Sequence, residues 1–286
     1  MLLKKAIETY LDYLKAKERS KETIRGYGQE LNALSLFIEQ EHNGAVYLDD
    51  IELKDLEGYL TRQKEKGSSA KTRSRQVSIL RSFYAFLFKR DLVEKDISQK
   101  LESISYQEKE RTHLTPEEME TLIENIDHPL VKTATITMAN TGLRISELCK
   151  LTLNDVDLKK NLIQVRQGKG NKDRVIPINA KLKEELVNYL NTIRPKTTSS
   201  YFFATTRTGR LSRQTVNETL IETVAKLGWE KHVTAHILRH SFASNLVRNQ
   251  APLPAVQKLL GHSNLTVTSR YIHQDIGQLQ QAVNLI

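Results

Sequence analysis

The chain has 286 residues, 39% hydrophobic and 27% charged, a balance that describes a folded globular protein with room for two modest cores and excludes a disordered or fibrous chain. Its 43 lysines and arginines against 34 acidic residues give a formal charge of +9, which favours a polyanionic partner. The one cysteine, Cys149, excludes an intrachain disulfide and a cysteine-built zinc cluster, and suits a reducing compartment.

The opening residues Met1 to Glu8 mix charges and lack the apolar stretch of a secretory signal. No segment reaches the roughly 20 apolar residues of a membrane span, so a cytoplasmic, nucleoid-associated protein without a membrane partner is expected. Ala6, Ile7, Tyr10 and Leu14 mark one helical face, and Ile24, Tyr27, Leu31, Leu34 and Ile38 mark a second helix at the same three-four spacing. The acidic run from Asp49 to Asp55 leads into a third helix, which Gly67-Ser68-Ser69 ends. Ser69 then caps a fourth, with Val77, Leu80, Tyr84, Leu87 and Phe88 as its buried stripe. On the opposite face of that helix lie Lys71, Arg75, Ser78 and Ser82. Bases among short side chains let a helix approach a phosphate backbone or enter a major groove; the plainer alternative is a solvated face.

Residues 1–104 therefore read as an all-helical domain. Residues 105–112 lie in a polar, aperiodic stretch that reads as a linker, and residues 113–286 as a second domain. The second domain opens with Thr115 as a helix cap, Pro116 at the first helical position and Glu117 and Glu118 in the first turn. Residues 161–166 and 174–178 alternate, are β-branched and flank Gly168-Lys169-Gly170-Asn171, which predicts an antiparallel hairpin. Helices follow to the end. By charge, residues 1–110 hold 20 basic and 19 acidic side chains and residues 111–286 hold 23 and 15, so the excess lies in the second domain.

That domain carries four motifs in order. They are Thr141-Gly142-Leu143-Arg144-Ile145-Ser146-Glu147-Leu148; Gly168-Lys169-Gly170-Asn171-Lys172-Asp173-Arg174; His236-Ile237-Leu238-Arg239-His240; and Leu260-Gly261-His262, nine residues before Tyr271. A phosphodiester under attack gathers charge on its non-bridging oxygens, which planar, permanently charged arginines and hydrogen-bond donors can hold. Arg144 and Arg239 sit among residues that helix periodicity would bury; the alternative to a phosphate clamp is a structural ion pair with a carboxylate such as Glu147. His236 and His240 are four apart, but without a glutamate or cysteine to complete a ligand set no metal is implied. The glycine-lysine pair lacks the first glycine and the Ser/Thr of a nucleotide-binding loop, so no ATP and no other cofactor is implied. His240 and Cys149 read as core residues.

Arg144, Lys169, His236, Arg239, His262 and Tyr271 together resemble the catalytic set of the tyrosine recombinases, or phage-integrase family, and of its Xer branch in particular. Ala235 stands where a proline is common, and Ile272 replaces the usual threonine after the tyrosine. The resemblance implies a mostly α fold: an N-terminal SAM-like core-binding bundle and a C-terminal mixed α/β catalytic domain with a small antiparallel sheet, closing as a C-shaped clamp around DNA. It also implies a site-specific DNA recombinase working through a 3′-phosphotyrosine and a Holliday junction. In that scheme Tyr271 is the nucleophile, Arg144 and Arg239 hold the phosphate, and Lys169 protonates the leaving 5′-oxygen, with Lys172 on the same turn as its substitute and a DNA contact. His236 and His262 donate to the same phosphate. The implied partners are a double-stranded recombination site and a homo- or hetero-tetramer on two synapsed sites, with a second recombinase or an activating protein possible. Chromosome or plasmid dimer resolution and mobile-element resolution fit this reading. Integration or excision, a type IB topoisomerase and a non-catalytic DNA-binding module remain as alternatives. The fifteen residues after Tyr271 end in Leu285 and Ile286, an apolar end expected to dock; the resemblance implies a neighbouring subunit as its seat, and packing on its own domain is the alternative.

Overall fold

A computed structural model describes residues 1–107, 112–166 and 173–261, and the chain divides into two units, Met1–Lys109 and Glu110–Ile286. Among the described residues no helix is long and apolar enough to cross a membrane.

The first unit is built from four helices, α1 (Leu3–Ala16), α2 (Lys21–Glu41), α3 (Leu53–Glu65) and α4 (Ala70–Phe88). The expected faces are the buried ones: Ala6, Ile7, Tyr10 and Leu14 of α1 meet Leu31, Leu34 and Ile38 of α2 and Leu56 and Tyr59 of α3 in one core. Short hydroxyls set the helix starts. Ser20 Oγ accepts from the Thr23 amide at 3.1 Å and Ser69 Oγ from the Thr72 amide at 3.2 Å, each satisfying an orphan donor of a first turn. Gly67, at φ +83°, follows the end of α3 in the left-handed region.

α4 departs from the expected stripe at one position. Val77, Leu80, Tyr84 and Leu87 are buried, but Phe88 is 47% exposed. It is the last residue of the helix, and the aromatic that closes this end of the core is Phe86. Phe86 stacks on Tyr13 and Tyr10, with ring centroids 4.8 and 5.0 Å away, and carries the Arg90 guanidinium over its face. Periodicity alone assigns Phe88 to the stripe because it cannot see that the helix stops there.

The second unit contains α5 (Pro116–Glu124), α6 (Pro129–Thr141), α7 (Ile145–Leu148), α8 (Ala180–Asn188), α9 (Arg213–Lys226), α10 (Ala235–Arg248) and α11 (Leu253–Leu260), with a sheet of β1 (Val156–Asp157), β2 (Leu162–Val165) and β3 (Arg174–Pro177). Thr115 and Glu118 cap α5 reciprocally, Thr115 Oγ1 accepting from the Glu118 amide at 3.2 Å and Glu118 Oε2 from the Thr115 amide at 3.0 Å. The predicted hairpin is present, with Ile163 opposite Ile176, and β1 adds a short antiparallel edge. Two residues are too few for alternation to show in a sequence, which is why β1 was not foreseen.

α6 runs through the middle of this unit and is buried on almost every side, threonines included. Thr137 Oγ1 donates to the Thr133 carbonyl at 2.8 Å and Thr141 Oγ1 to the Thr137 carbonyl at 2.6 Å, so these two hydroxyls are satisfied within the helix, whereas Thr135 Oγ1 is buried without a hydrogen-bond partner among the described residues. α10 packs against α6, and Ser241 in its middle accepts the Leu114 amide at 2.8 Å, fixing the segment that enters the unit.

Candidate active site

The site begins where α6 ends. Gly142 is its C-cap at φ +62°, a left-handed conformation that costs a residue with a Cβ roughly 1–2 kcal/mol. The turn also has no room for a side chain, since a Cβ at Gly142 would lie 2.4 Å from Cδ1 of Phe242 on α10. This sharp reversal places Arg144 at the N-cap of α7, between Leu143 and Leu148, both of which are buried as expected.

Arg144 is a quarter exposed, and its Nη1 donates to Glu147 Oε1 at 2.8 Å. The structural ion pair with Glu147 is therefore real, but Glu147 is shared. Arg174, the first residue of β3, grips the same carboxylate with a two-pronged fork, Nη1 to Oε1 at 2.9 Å and Nη2 to Oε2 at 2.7 Å. The Arg144 amide adds a fourth bond to Oε2 at 2.9 Å, so both oxygens accept twice and the acceptor capacity of the carboxylate is filled. Burial alone would raise the Glu147 pKa. The hydrogen bonds and charge of Arg174, together with the Arg144 amide and guanidinium, overcome it and hold the group at about 2.

Arg239 is only 4% exposed and is oriented by backbone. Its Nη1 donates to the Gly142 carbonyl and its Nη2 to the Leu260 carbonyl, both at 2.6 Å. Arg174 Nε takes the neighbouring Leu259 carbonyl at 2.8 Å. Two carbonyls left over at the C-terminus of α11 are thus each met by an arginine, where the helix dipole favours positive charge. His236, exposed, is three residues before Arg239 on α10, a spacing that puts the two on one helix face. His240 is buried and meets the His113 ring edge-on, with centroids 6.4 Å apart, which fits the core role expected of it.

The structure thus gathers Arg144 and Arg239 into one hydrogen-bonded cluster and sets His236 on the helix that carries Arg239. Lys169, Lys172, His262 and Tyr271 lie outside the described residues, as do Leu285 and Ile286. Among the described residues there is no group of three or more His, Cys, Asp or Glu placed to hold a metal ion. Cys149 is buried, and burial pushes its thiol up to about 11, as befits a packing residue. Two members of the cluster, Glu147 and Arg174, were not among the predicted site residues. Glu147 stood in the sequence only as a possible ion-pair partner, and the signal for Arg174 was its position directly after the glycine-lysine turn.

On α4 of the first unit, Lys71, Arg75, Ser78 and Ser82 are all exposed. Ser82 shares a 2.8 Å hydrogen bond with Tyr10, and Lys71 lies 5.9 Å over the Tyr106 ring. Arg75 lies across α2 at Gly26, where a Cβ would come 2.7 Å from Nη2. These contacts steady the basic face without burying it.

The sequence pattern of the phage integrase family matches residues 112–277, and that of the phage integrase N-terminal SAM-like domain matches residues 7–91. The chain belongs to the phage integrase family, as a Xer-like tyrosine recombinase. The recombinase is 33% identical to the tyrosine recombinase XerD of Staphylococcus saprophyticus over 289 residues, 97% of each chain, and 32% identical to XerD of Staphylococcus aureus over 288 residues, again 97% of each. Its fold is that of a lambda integrase dimer bound to a core site, with TM-score 0.80 at 20% identity over 95% of each chain. It is also that of the Tn1549 transposon integrase in complex with a circular-intermediate DNA, with TM-score 0.75 at 22% identity over 98% of the recombinase and 99% of that chain.

Proposed function

We propose that this recombinase cuts and rejoins a specific double-stranded DNA site through Tyr271, with Arg144 and Arg239 clamping the scissile phosphate and His236 and His262 donating to it. The observation that carries this reading is the single cluster in which Glu147, the Gly142 turn and the end of α11 orient both arginines. Guanidiniums fixed in advance stabilise charge as it develops on the phosphate and need no reorganisation during the reaction. Attack by the Tyr271 oxygen on phosphorus, its proton passing to His236, forms a 3′-phosphotyrosine and breaks the bond to the 5′-oxygen, which Lys169 protonates as it leaves. The phosphoester is conserved in the covalent bond, so a new 5′-hydroxyl reverses the step with no external energy source. The exposed basic face of α4, with Lys71, Arg75, Ser78 and Ser82, holds the duplex backbone, and Lys172 adds a contact from the second unit. Subunits assemble as a tetramer on two synapsed sites and resolve chromosome or plasmid dimers or mobile-element cointegrates in the cytoplasm.

The test begins with footprinting to define the bound site. A nicked substrate carrying that site traps the covalent intermediate, because the short fragment below the nick diffuses away. The wild-type protein is expected to give an adduct on a denaturing gel, and Tyr271→Phe to bind the same DNA equally well and give none. An adduct formed by Tyr271→Phe assigns the attack to another residue. Strand exchange between two sites separates recombination from simple relaxation of supercoils.

A further inference from the structure

We infer that Arg174 is a positioning residue of this active site, acting on the scissile phosphate through Glu147 and Arg144; the inference rests on the proposed roles of Arg144 and Tyr271. Arg174 belongs to no catalytic set assigned above, yet all three of its guanidinium nitrogens are engaged within the cluster. Its side chain is 8% exposed and joins its own strand to two other pieces of chain. Two nitrogens hold Glu147 at 2.9 and 2.7 Å, and Glu147 in turn holds the Arg144 guanidinium at 2.8 Å. The third nitrogen donates to the Leu259 carbonyl at 2.8 Å, next to the Leu260 carbonyl that orients Arg239.

The packing around this side chain is equally specific. Gly261 passes directly over it, and a Cβ there would lie 3.0 Å from Arg174 Cδ and 3.2 Å from Nη1. Gly261 is also at φ +64°, so this turn needs glycine both for its conformation and for its clearance over the arginine. By sequence, Arg174 follows the Lys169 turn directly and Gly261 immediately precedes His262. One buried fork therefore ties together the strand leaving the lysine turn, the turn carrying Arg144 and the helix end leading to the second histidine.

Without Arg174, Glu147 would keep one bond on each oxygen, from the Arg144 amide and the Arg144 guanidinium. The bidentate fork adds a second bond to each oxygen and sets the direction in which Oε1 faces Arg144. A lysine at position 174 would preserve the charge facing Glu147 but supplies a single point donor, so it keeps the fold and loses the lock.

The experiment compares Arg174→Lys with the wild type for single-turnover cleavage of the nicked substrate at saturating DNA, alone and in an Arg144→Ala background, alongside gel-shift affinity. The expected result is cleavage slowed on the order of a hundredfold, the scale of a misplaced reacting geometry, with DNA affinity unchanged. In the Arg144→Ala background most of that loss should vanish, since the residue through which Arg174 acts is already gone. An equal loss in both backgrounds means a general structural lesion and overturns the inference. A fall in DNA affinity that accounts for the loss means direct DNA contact and also overturns it, as does wild-type cleavage by Arg174→Lys. If Arg174→Lys does not fold, Arg174→Gln with Glu147→Gln replaces the ion pair by a neutral hydrogen-bonding pair and is read against the same outcomes. Absence of any adduct from the wild type refutes the proposed function itself, a result distinct from all of these.

Discussion

Replacing Gly142 by alanine tests how far the active site depends on one turn. The added Cβ would sit 2.4 and 2.7 Å from Cδ1 and Cε1 of Phe242 and 3.0 Å from Cδ2 of Leu260, while the backbone stays at φ +62°. Holding alanine in the left-handed region costs roughly 1–2 kcal/mol. Forcing a methyl into a packed contact costs about 1–3 kcal/mol more. The two together predict a loss on the order of 2–5 kcal/mol from the second unit. Gly209→Ala supplies the control: it is also left-handed, at φ +74°, but its Cβ would meet Ser199 at 3.7 Å, an ordinary contact. Trp229 is the only tryptophan of the chain and packs against the core of the second unit, so its fluorescence during urea unfolding follows that unit alone. The unfolding midpoint should fall for both variants and clearly further for Gly142→Ala. Cleavage should fall only for Gly142→Ala, because the Gly142 carbonyl orients Arg239. Equal losses of stability from the two glycines would refute the argument that clearance under Phe242 shapes this turn.

Arg144→Ala and Arg239→Ala should each slow adduct formation on the order of a hundredfold or more, the usual scale for losing one preorganised charge donor. Lysine at either position should rescue poorly; a rate near wild type for Arg239→Lys would refute a planar two-oxygen grip. Adduct formation should proceed in EDTA without nucleotide, and loss on chelation with recovery on adding magnesium would move the chemistry to a metal ion. Acid should act through Glu147, whose pKa falls from 4.5 to about 2 in the folded protein. The stabilisation is complete above about pH 4.5 and is lost as pH falls towards 2, and its full size is on the order of 3 kcal/mol. The stability gap between wild type and Glu147→Gln, read by Trp229 in urea, should therefore narrow from pH 6 to pH 2.5, and a constant gap would refute it.

Most of the helical layout was legible because burial imposes a period. The stripes of α1, α2 and α4 and the cap residues Ser69 and Thr115 lie where spacing and hydrogen-bonding chemistry put them. Phe88 shows the limit, since a stripe does not announce its last buried member. In the site, Arg144 and Arg239 could be named from their motifs, but what holds them could not. Arg239 is oriented by carbonyls of Gly142 and Leu260, and backbone acceptors leave no trace in residue identity. Arg174 and Glu147 are 27 positions apart, and only the fold brings the strand after the lysine turn against the short helix after Arg144.

The way the cations are held bears on what they can do. A guanidinium bonded to a carbonyl is fixed in plane and keeps its full charge, which is how Arg239 is oriented by Gly142 and Leu260. Arg144 is fixed instead by a carboxylate, which would neutralise it if the pair stood alone. Because Arg174 shares that carboxylate, the group of Arg144, Glu147 and Arg174 retains one positive charge, and with Arg239 these four side chains carry two. In the proposed attack by Tyr271, the phosphodiester would bring one negative charge and the phenolate a second, so a doubly negative species would pass through the transition state. Two retained positive charges, one beside each arginine, match that species. A single arginine paired with a private carboxylate would bind the ground-state diester about as well and lose the advantage as charge accumulates. The sharing of Glu147 between two arginines is therefore the feature that lets one residue position Arg144 and still leave the site cationic.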